Sequence, residues 1–248
     1  MLPVIKIGFI NLMVFPFVLL IAIEACFLAL VYIEQIEYPD LINMVKMFLP
    51  CLIFACIGGK TLYLFTKVIQ GHKKILNLFN GFVFYGGLIG ALVGISLFCK
   101  KHKIDNRWKY IDLFVSVLPL GQSIGRIGCY FNGCCYGKNY NGFLAVRYIV
   151  ANQKCDVFPT WFVEAIFCLM IYIFMHYVNK QIYGLKTAVY MISYSFFRFI
   201  IEFYRGDEIR GIYRGISTSQ IISVFVFLFG GLIMIRTKII RKRGYREW

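Results

Sequence analysis

Charge is scarce in this chain. Only 16% of its 248 residues are Asp, Glu, Lys or Arg, where a soluble globular domain carries about a quarter. Acidic residues are rarer still, 12 against 27 basic ones. With 60% of the residues hydrophobic, that shortage excludes a soluble-domain reading. No internal repeat, low-complexity tract or separate polar segment is present, so residues 1–248 are expected to form one integral membrane domain. Strict apolar–polar alternation is also missing, which excludes a membrane β-barrel. The nine cysteines are an odd number, and no disulfide framework is expected. Cys26, Cys51, Cys56, Cys99 and Cys168 sit inside apolar runs, where a free thiol behaves as a small hydrophobe. No set of four metal ligands occurs at ordinary spacing, and His72, His102 and His176 lie far from the remaining cysteines. No metal or other cofactor is expected.

Long continuous apolar runs fill the space that these absences leave. An unpaired backbone is too costly in lipid, so such runs must be helices. Seven are expected, at about 8–33, 43–66, 81–99, 110–128, 158–178, 184–204 and 216–236. The fold class is therefore all-α, a polytopic membrane helix bundle of about seven transmembrane helices. The first run lacks a small-residue cleavage site and is too long for a signal peptide.

Basic loops set the expected orientation. Lys100, Lys101, Lys103, Arg107 and Lys109 lie between the third and fourth spans. Arg236, Lys238, Arg241, Lys242, Arg243 and Arg246 lie in the C-terminal tail. Both groups are expected in the cytoplasm, with the N-terminus outside. The acidic segment Glu34–Asp40 then falls inside, and Lys67, Lys73 and Lys74 outside, against the rule. The basic residues form no single stripe, so the net charge of +15 points to membrane anchoring and not to a nucleic-acid partner. No pair of broken helices in matching halves supports a transporter.

Charged residues inside spans are costly and mark candidate sites. The short list of candidates in or next to the spans is Glu24, Lys60, Arg126, Glu164, Arg198, Glu202 and Arg205. The spacing i, i+4, i+7 places Arg198, Glu202 and Arg205 on one helix face. This is either a self-neutralising ladder or two guanidiniums held by a carboxylate and aimed at an anion. A second cluster favours the anion: Gly121, Gly125, Arg126, Gly128, Cys129, Asn132, Gly133, Cys134, Cys135 and Gly137 crowd one stretch. Its glycines permit tight turns and close backbone approach. A third stretch, Asn80 to Gly90, carries Tyr85, Gly86, Gly87 and Gly90. Close helix packing is the simpler explanation for these three glycines.

These stretches, in this order, resemble the prolipoprotein diacylglyceryl transferase family of bacterial inner-membrane enzymes. The family pattern runs His-Gly-Gly-Leu-Ile-Gly, then Gly-Arg-(Leu/Ile)-Gly-Asn-Phe-x-Asn-Gly-Glu, then His-Pro-(Ser/Thr)-Gln-x-Tyr-Glu, then Arg-x-x-x-Glu-x-x-Arg. The corresponding segments here begin at Tyr85, Gly125, Phe158 and Arg198. Gly58-Gly59-Lys60 resembles the family's Gly-Gly-Arg, and Ser219, Gln220 and Ser223 resemble its Gly-Gln-x-x-Ser. The resemblance implies transfer of a diacylglyceryl group from phosphatidylglycerol to the lipobox cysteine thiol of a preprolipoprotein, with release of glycerol phosphate. It implies catalytic roles for Arg126, Arg205, Tyr85 and Glu202. Substrate binding would fall to Arg126, Asn132, Gly128, Gly133, Arg198, Gly86 and Gly87, with the N–H groups of Gly128 and Gly133 reaching head-group oxygens. Glu202 would orient Arg198 and Arg205.

The departures from the pattern are specific. Tyr85 stands in place of His, Cys129 in place of Asn, and Cys134 in place of Glu. Phe158, Trp161 and Val163 replace His, Gln and Tyr, and Phe15 replaces a first-span tyrosine. A tyrosine, with a pKa of about 10, is a poor base at neutral pH. Two alternatives follow: a non-catalytic paralogue that binds anionic lipid, or a transferase with another acceptor. Cys129, Cys134 and Cys135 read as small packing residues of a tight loop, or as a redox or covalent thiol group.

Overall fold

The computed structural model describes residues 4–7, 10–69, 83–150, 153–179, 181–206, 212–213 and 216–242. Asn80, Gly81 and Phe82 of the third stretch, together with His72, Lys73, Lys74, Arg243 and Arg246, lie outside the described residues. Seven α-helices stand among those described: α1 (Val14–Leu28), α2 (Tyr38–Ile69), α3 (Phe84–Lys101), α4 (Arg107–Asn132), α5 (Thr160–Met175), α6 (Leu185–Ile201) and α7 (Thr218–Lys242). Each expected span overlaps one of them. Three, Val14–Ile33, Tyr38–Val68 and Thr218–Ile239, are long and apolar enough to cross a membrane by length and composition. Many large apolar side chains on the outer helix faces are exposed, among them Leu20, Phe65, Phe225 and Leu232. That surface requires lipid to cover it.

The first span is shorter than expected. Residues Val4–Ile7 (β1) and Ile10–Met13 (β2) pair as an antiparallel hairpin. Pro16 explains the boundary. It has no N–H to give to the carbonyl four residues back, so it is tolerated only in a first helical turn. The β-branched residues ahead of it favour strand pairing. After α1 the chain makes a π-helical turn at Ala29–Ile33.

Helix α2 packs on α3 through glycines. A Cβ on Gly90 would meet the Phe54 carbonyl oxygen at 2.0 Å, and one on Gly86 would meet that of Gly58 at 2.4 Å. Bare backbones touch here, as small-residue interfaces in membranes allow. Helix α4 packs against α1, α5 and α6, so it runs through the centre of the bundle.

Polar residues gather at both ends of the bundle. At one end lie the α1 C-terminus, the α2 N-terminus and the α3–α4 turn. There Lys186 donates to both oxygens of Glu34 at 3.0 Å, and Lys109 meets Asp40 at 2.6 Å. Asp112 of α4 accepts from the N–H groups of Gly184 at 2.7 Å and Thr187 at 2.9 Å. It thereby caps α6, whose first N–H groups have no partner within the helix. The acidic segment Glu34–Asp40 therefore sits among basic partners. Arg236 of α7 lies over the Trp108 ring, 5.7 Å from its centroid, so both basic clusters occupy this end.

Between α4 and α5, Val146–Val150 (β3) and Gln153–Val157 (β4) form an antiparallel hairpin. Two short strands, Ile212–Tyr213 (β5) and Ile216–Ser217 (β6), precede α7. Ser217 and Gln220 exchange reciprocal hydrogen bonds, 3.0 and 3.1 Å, that close a capping box at the α7 N-terminus.

Candidate functional site

The other polar end is formed by the C-terminal parts of α4 and α6 and the N-terminal parts of α3, α5 and α7. Four of the sequence-marked segments converge there. Arg126 of α4 meets Glu164 of α5 at 2.6 Å through Nη2, and the Glu164 side chain is buried. Tyr194 of α6 donates to the same carboxylate oxygen at 3.3 Å. Arg126 Nη1 points instead at sulfur, 3.6 Å from Cys135 and 4.0 Å from Cys129. One guanidinium edge is thus anchored, and the other faces the thiols.

A helix stop builds the thiol cluster. Gly133, at φ +73°, ends α4 in the left-handed region. Its N–H reaches the Tyr130 carbonyl at 3.2 Å, and the Cys134 N–H reaches the Cys129 carbonyl at 3.1 Å. This is the paired hydrogen-bonding of a Schellman motif, which folds the second residue past the cap onto the last helical turn. Cys134 is thereby laid against Cys129. Cys135 also adopts a positive φ, +59°, and the three Sγ atoms lie within 4.8 Å of one another. The Tyr148 hydroxyl donates to the Cys134 carbonyl at 3.4 Å, and the Thr160 hydroxyl donates to that of Cys135. Contacts from Cys129 and Cys134 hold the Cys135 thiol below the usual range, with Arg126 and Arg205 adding to the effect and burial opposing it.

The Arg198–Glu202–Arg205 ladder differs from its expected form. Arg198 and Glu202 do pair, at 2.7 Å. However, α6 ends at Ile201, residues Glu202–Tyr204 make a 3-10 turn, and Arg205 is extended. The three do not share one helical face. The chain leaves the helix to pair with the loop after α4: Arg205 bridges Gly137, and Lys138 donates to the Tyr204 carbonyl at 2.8 Å. A Cβ on Gly206 would meet the Gly137 carbonyl oxygen at 2.4 Å, so only bare backbone fits. The result keeps Arg205 buried and near Cys135.

Arg198 also donates to Ser219 at 3.3 Å, at the start of α7. Its Nη1 is buried and has no hydrogen-bond partner among the described residues. Such a donor is costly unless a ligand meets it. Tyr85 is buried and shares a 2.8 Å hydrogen bond with Ser223 of α7, within electrostatic reach of Arg198, Glu164 and Glu202.

The glycines and Asn132 fall differently from expectation. The Gly133 N–H is spent on the helix cap, and Gly128 lies inside α4, where a Cβ would come within 3.1 Å of the Phe15 ring. Neither N–H is available to a head group, which corrects that expectation. Gly86 faces the backbone of α2, and Gly87 is buried on α3 beside it. Asn132 is exposed and turns toward Cys134 at 3.9 Å. A Cβ on Gly125 would meet nothing within 4 Å, so that side of α4 is open at this turn. A cavity of about 270 Å³ opens on the same helix near Gly121, with Leu19, Cys26, Phe27, Phe48, Phe114 and Leu118 in its apolar lining. Glu164 was marked in the sequence as a costly charge and as the closing Glu of the segment that begins at Phe158; its partnership with Arg126 spans two helices and left no local signal.

A family model for prolipoprotein diacylglyceryl transferase matches residues 3–236. The phosphatidylglycerol–prolipoprotein diacylglyceryl transferase of Clostridium tetani is 36% identical over 182 residues, 70% of this chain and 72% of the relative. The phosphatidylglycerol–prolipoprotein diacylglyceryl transferase 2 of Clostridium perfringens is 39% identical over 190 residues, 72% of each chain. The transferase of Finegoldia magna is 28% identical over 215 residues, 83% of this chain and 82% of the relative.

Proposed function

The chain belongs to the prolipoprotein diacylglyceryl transferase family, and from that premise we propose how its residues perform the transfer. It is a multi-pass membrane transferase of bacterial lipoprotein biosynthesis. It moves the diacylglyceryl group of phosphatidylglycerol to the cysteine thiol of a prolipoprotein.

The reaction makes a C–S bond at the glyceryl carbon and breaks the C–O bond to phosphate. Glycerol phosphate leaves with one more negative charge than the bound phosphodiester carries. Fixed positive charge in a water-poor site favours that change, because its dipoles and charges need no reorganisation as the charge develops. Arg126, Arg198 and Arg205 supply it. The anchoring of Arg126 by Glu164 at 2.6 Å is the observation that carries this reading. It fixes the plane of the fork and keeps its positive charge beside the thiols, where the departing phosphate would lie. The unmet Nη1 of Arg198 offers a second donor, and Glu202 positions that guanidinium. Tyr85 orients the head group through its hydroxyl. The apolar cavity by α1, α2 and α4 suits an acyl chain.

The orientation follows from the two ends of the bundle. The basic end, with the α3–α4 turn and the end of α7, faces the cytoplasm. The N-terminus and the arginine site then lie toward the outer face.

The test is transfer of radiolabel from phosphatidylglycerol to a lipobox peptide by purified protein in detergent with lipid. Labelled thioether that disappears with Arg126→Ala and with Arg205→Ala is the expected result. Tight phosphatidylglycerol binding without product would replace this reading with a lipid-binding protein or another acceptor.

A further inference from the structure

The three cysteines beside Arg126 are not explained by packing. Cys129, Cys134 and Cys135 are each only half-buried. Their sulfurs converge on one point, within 4.8 Å of one another. Two backbone carbonyls of the loop are pinned by Thr160 and Tyr148, which fixes the side chains that aim there.

Three thiols at this separation have the chemistry of a soft-metal site. A tetrahedral zinc ion with Zn–S bonds near 2.3 Å sets its sulfurs roughly 3.8 Å apart, so closure by about 1 Å at most completes the coordination. Thiolate ligands select zinc-class ions over magnesium or calcium. Three protein ligands leave the fourth position open, the arrangement of a reactive and not a purely structural site. Arg126, at 3.6 and 4.0 Å from two of the sulfurs, offsets the surplus negative charge of three thiolates around a divalent ion.

We propose that Cys129, Cys134 and Cys135 bind a zinc-class metal ion whose open position takes the acceptor thiol as a thiolate. This rests on the transferase reading and names how the site ionises its nucleophile. His102 lies at the far end of α3 and His176 at the far end of α5, so neither serves as a base here. A thiol that coordinates such an ion loses its proton outright, and that proton passes to solvent. The metal-held sulfur then attacks the glyceryl carbon with a lone pair. The C–O bond to phosphate breaks, and its electron pair leaves on glycerol phosphate beside Arg126. The thioether product is a weaker ligand than a thiolate and departs.

The test uses the full-length protein in detergent with phosphatidylglycerol. After metal stripping and reloading with Co²⁺, the wild type should show thiolate-to-cobalt charge-transfer bands and tetrahedral visible absorption. Cys129→Ser, Cys134→Ser and Cys135→Ser should each lose them, and Cys56→Ser, on the exposed surface of α2, should keep them. Adding a lipobox peptide should change the visible spectrum, and its serine analogue should not. Stripping the wild type with a chelator should lower transfer by at least about 100-fold, with recovery on adding Zn²⁺. The chelator experiment avoids any folding defect of the variants. Undiminished transfer by metal-free wild type would overturn the metal proposal and leave the transferase reading standing. A cobalt site that ignores the peptide thiol would overturn the metal's proposed role. Absence of transfer by fully loaded protein would overturn the transferase reading itself.

Discussion

Arg126 and Glu164 lie on different helices and meet at 2.6 Å in the site, the carboxylate almost wholly buried. One guanidinium edge is thereby fixed, and the other is turned to the reacting groups. Replacing Arg126 with Ala should lower transfer by about 100- to 1000-fold, the usual cost of removing one preorganised charge donor. Lysine should not restore it, because a point charge cannot hold Glu164 and a phosphate oxygen at once. Glu164→Gln should lower the catalytic rate more than it weakens phosphatidylglycerol binding. Steady-state kinetics on a lipobox peptide separates the two effects, and an unchanged rate for Glu164→Gln would remove the positioning role.

The α2–α3 contact makes a prediction about stability alone. Gly90→Ala brings a methyl group to 2.0 Å from the Phe54 carbonyl oxygen, and neither backbone can yield cheaply. Destabilisation of about 3 kcal/mol is expected, at the upper end of overpacking costs. Gly125→Ala, which meets nothing within 4 Å, should melt as the wild type does. Thermal unfolding in detergent compares them, and equal melting temperatures would show that the helices can part without cost.

What was legible in the sequence follows from which interactions are local. Lipid forces each long apolar run into a helix, so the spans could be read from composition. Arg126 and Glu202 announced themselves as charges in apolar surroundings. The pairing of Arg126 with Glu164 did not, because it depends on the packing of α4 against α5. The end of α6 at Ile201 was hidden for a similar reason: a helix ladder continues unless a partner draws the chain away, and that partner is Gly137. The thiol cluster had a readable signal that spacing rules for metal sites pass over. Asn132-Gly133 is a helix stop, and a stop at that place folds Cys134 back onto Cys129. The acidic segment Glu34–Asp40 contradicted the charge rule only until Lys186 and Lys109 were seen beside it.

At the opposite end, Asp112 holds the first N–H groups of α6 and touches nothing in the arginine site. Asp112→Ala leaves those donors buried and unmet, a loss of about 2–3 kcal/mol. The surviving folded protein should transfer at the wild-type rate per active molecule. Thermal melts paired with active-site titration check this. A fall in rate per active molecule would mean that the two ends of the bundle are coupled.

The thiols should differ in their pH response in metal-free protein. Cys135 is held below the usual range by its sulfur neighbours and, after them, the arginines, so it ionises ahead of Cys134. Cys134 also feels a lowering contact from Cys129, but its contact with Cys135 and its burial outweigh that and push it up to about 11. Alkylation by iodoacetamide requires the thiolate. Modification of Cys135 should therefore outrun that of Cys134 at the same pH, and that of Cys134 should rise with pH throughout. Mass spectrometry of timed digests resolves the two sites. Equal rates at every pH would show that the sulfur contacts and arginines do not hold Cys135 below Cys134.

Tyr85 stands where the family pattern has histidine, and its hydroxyl is committed to Ser223 at 2.8 Å. A tyrosine so placed can position a head group but is a poor proton acceptor at neutral pH, its ordinary pKa being about 10. Tyr85→Phe and Ser223→Ala should each reduce transfer by about 10-fold, the worth of one well-placed hydrogen bond. Because both remove the same interaction, the double variant should be little worse than either alone, a coupling that a double-mutant cycle measures directly. If the two losses instead multiply, the residues act on separate parts of the substrate. Tyr85→His tests the chemical role from the other side. A general base placed there would speed transfer when ionisation of the thiol limits the rate, and would change nothing when the thiolate is already formed elsewhere in the site. The pH–rate profile of Tyr85→His distinguishes these cases, because a working histidine adds a limb near its ordinary pKa of about 6.5.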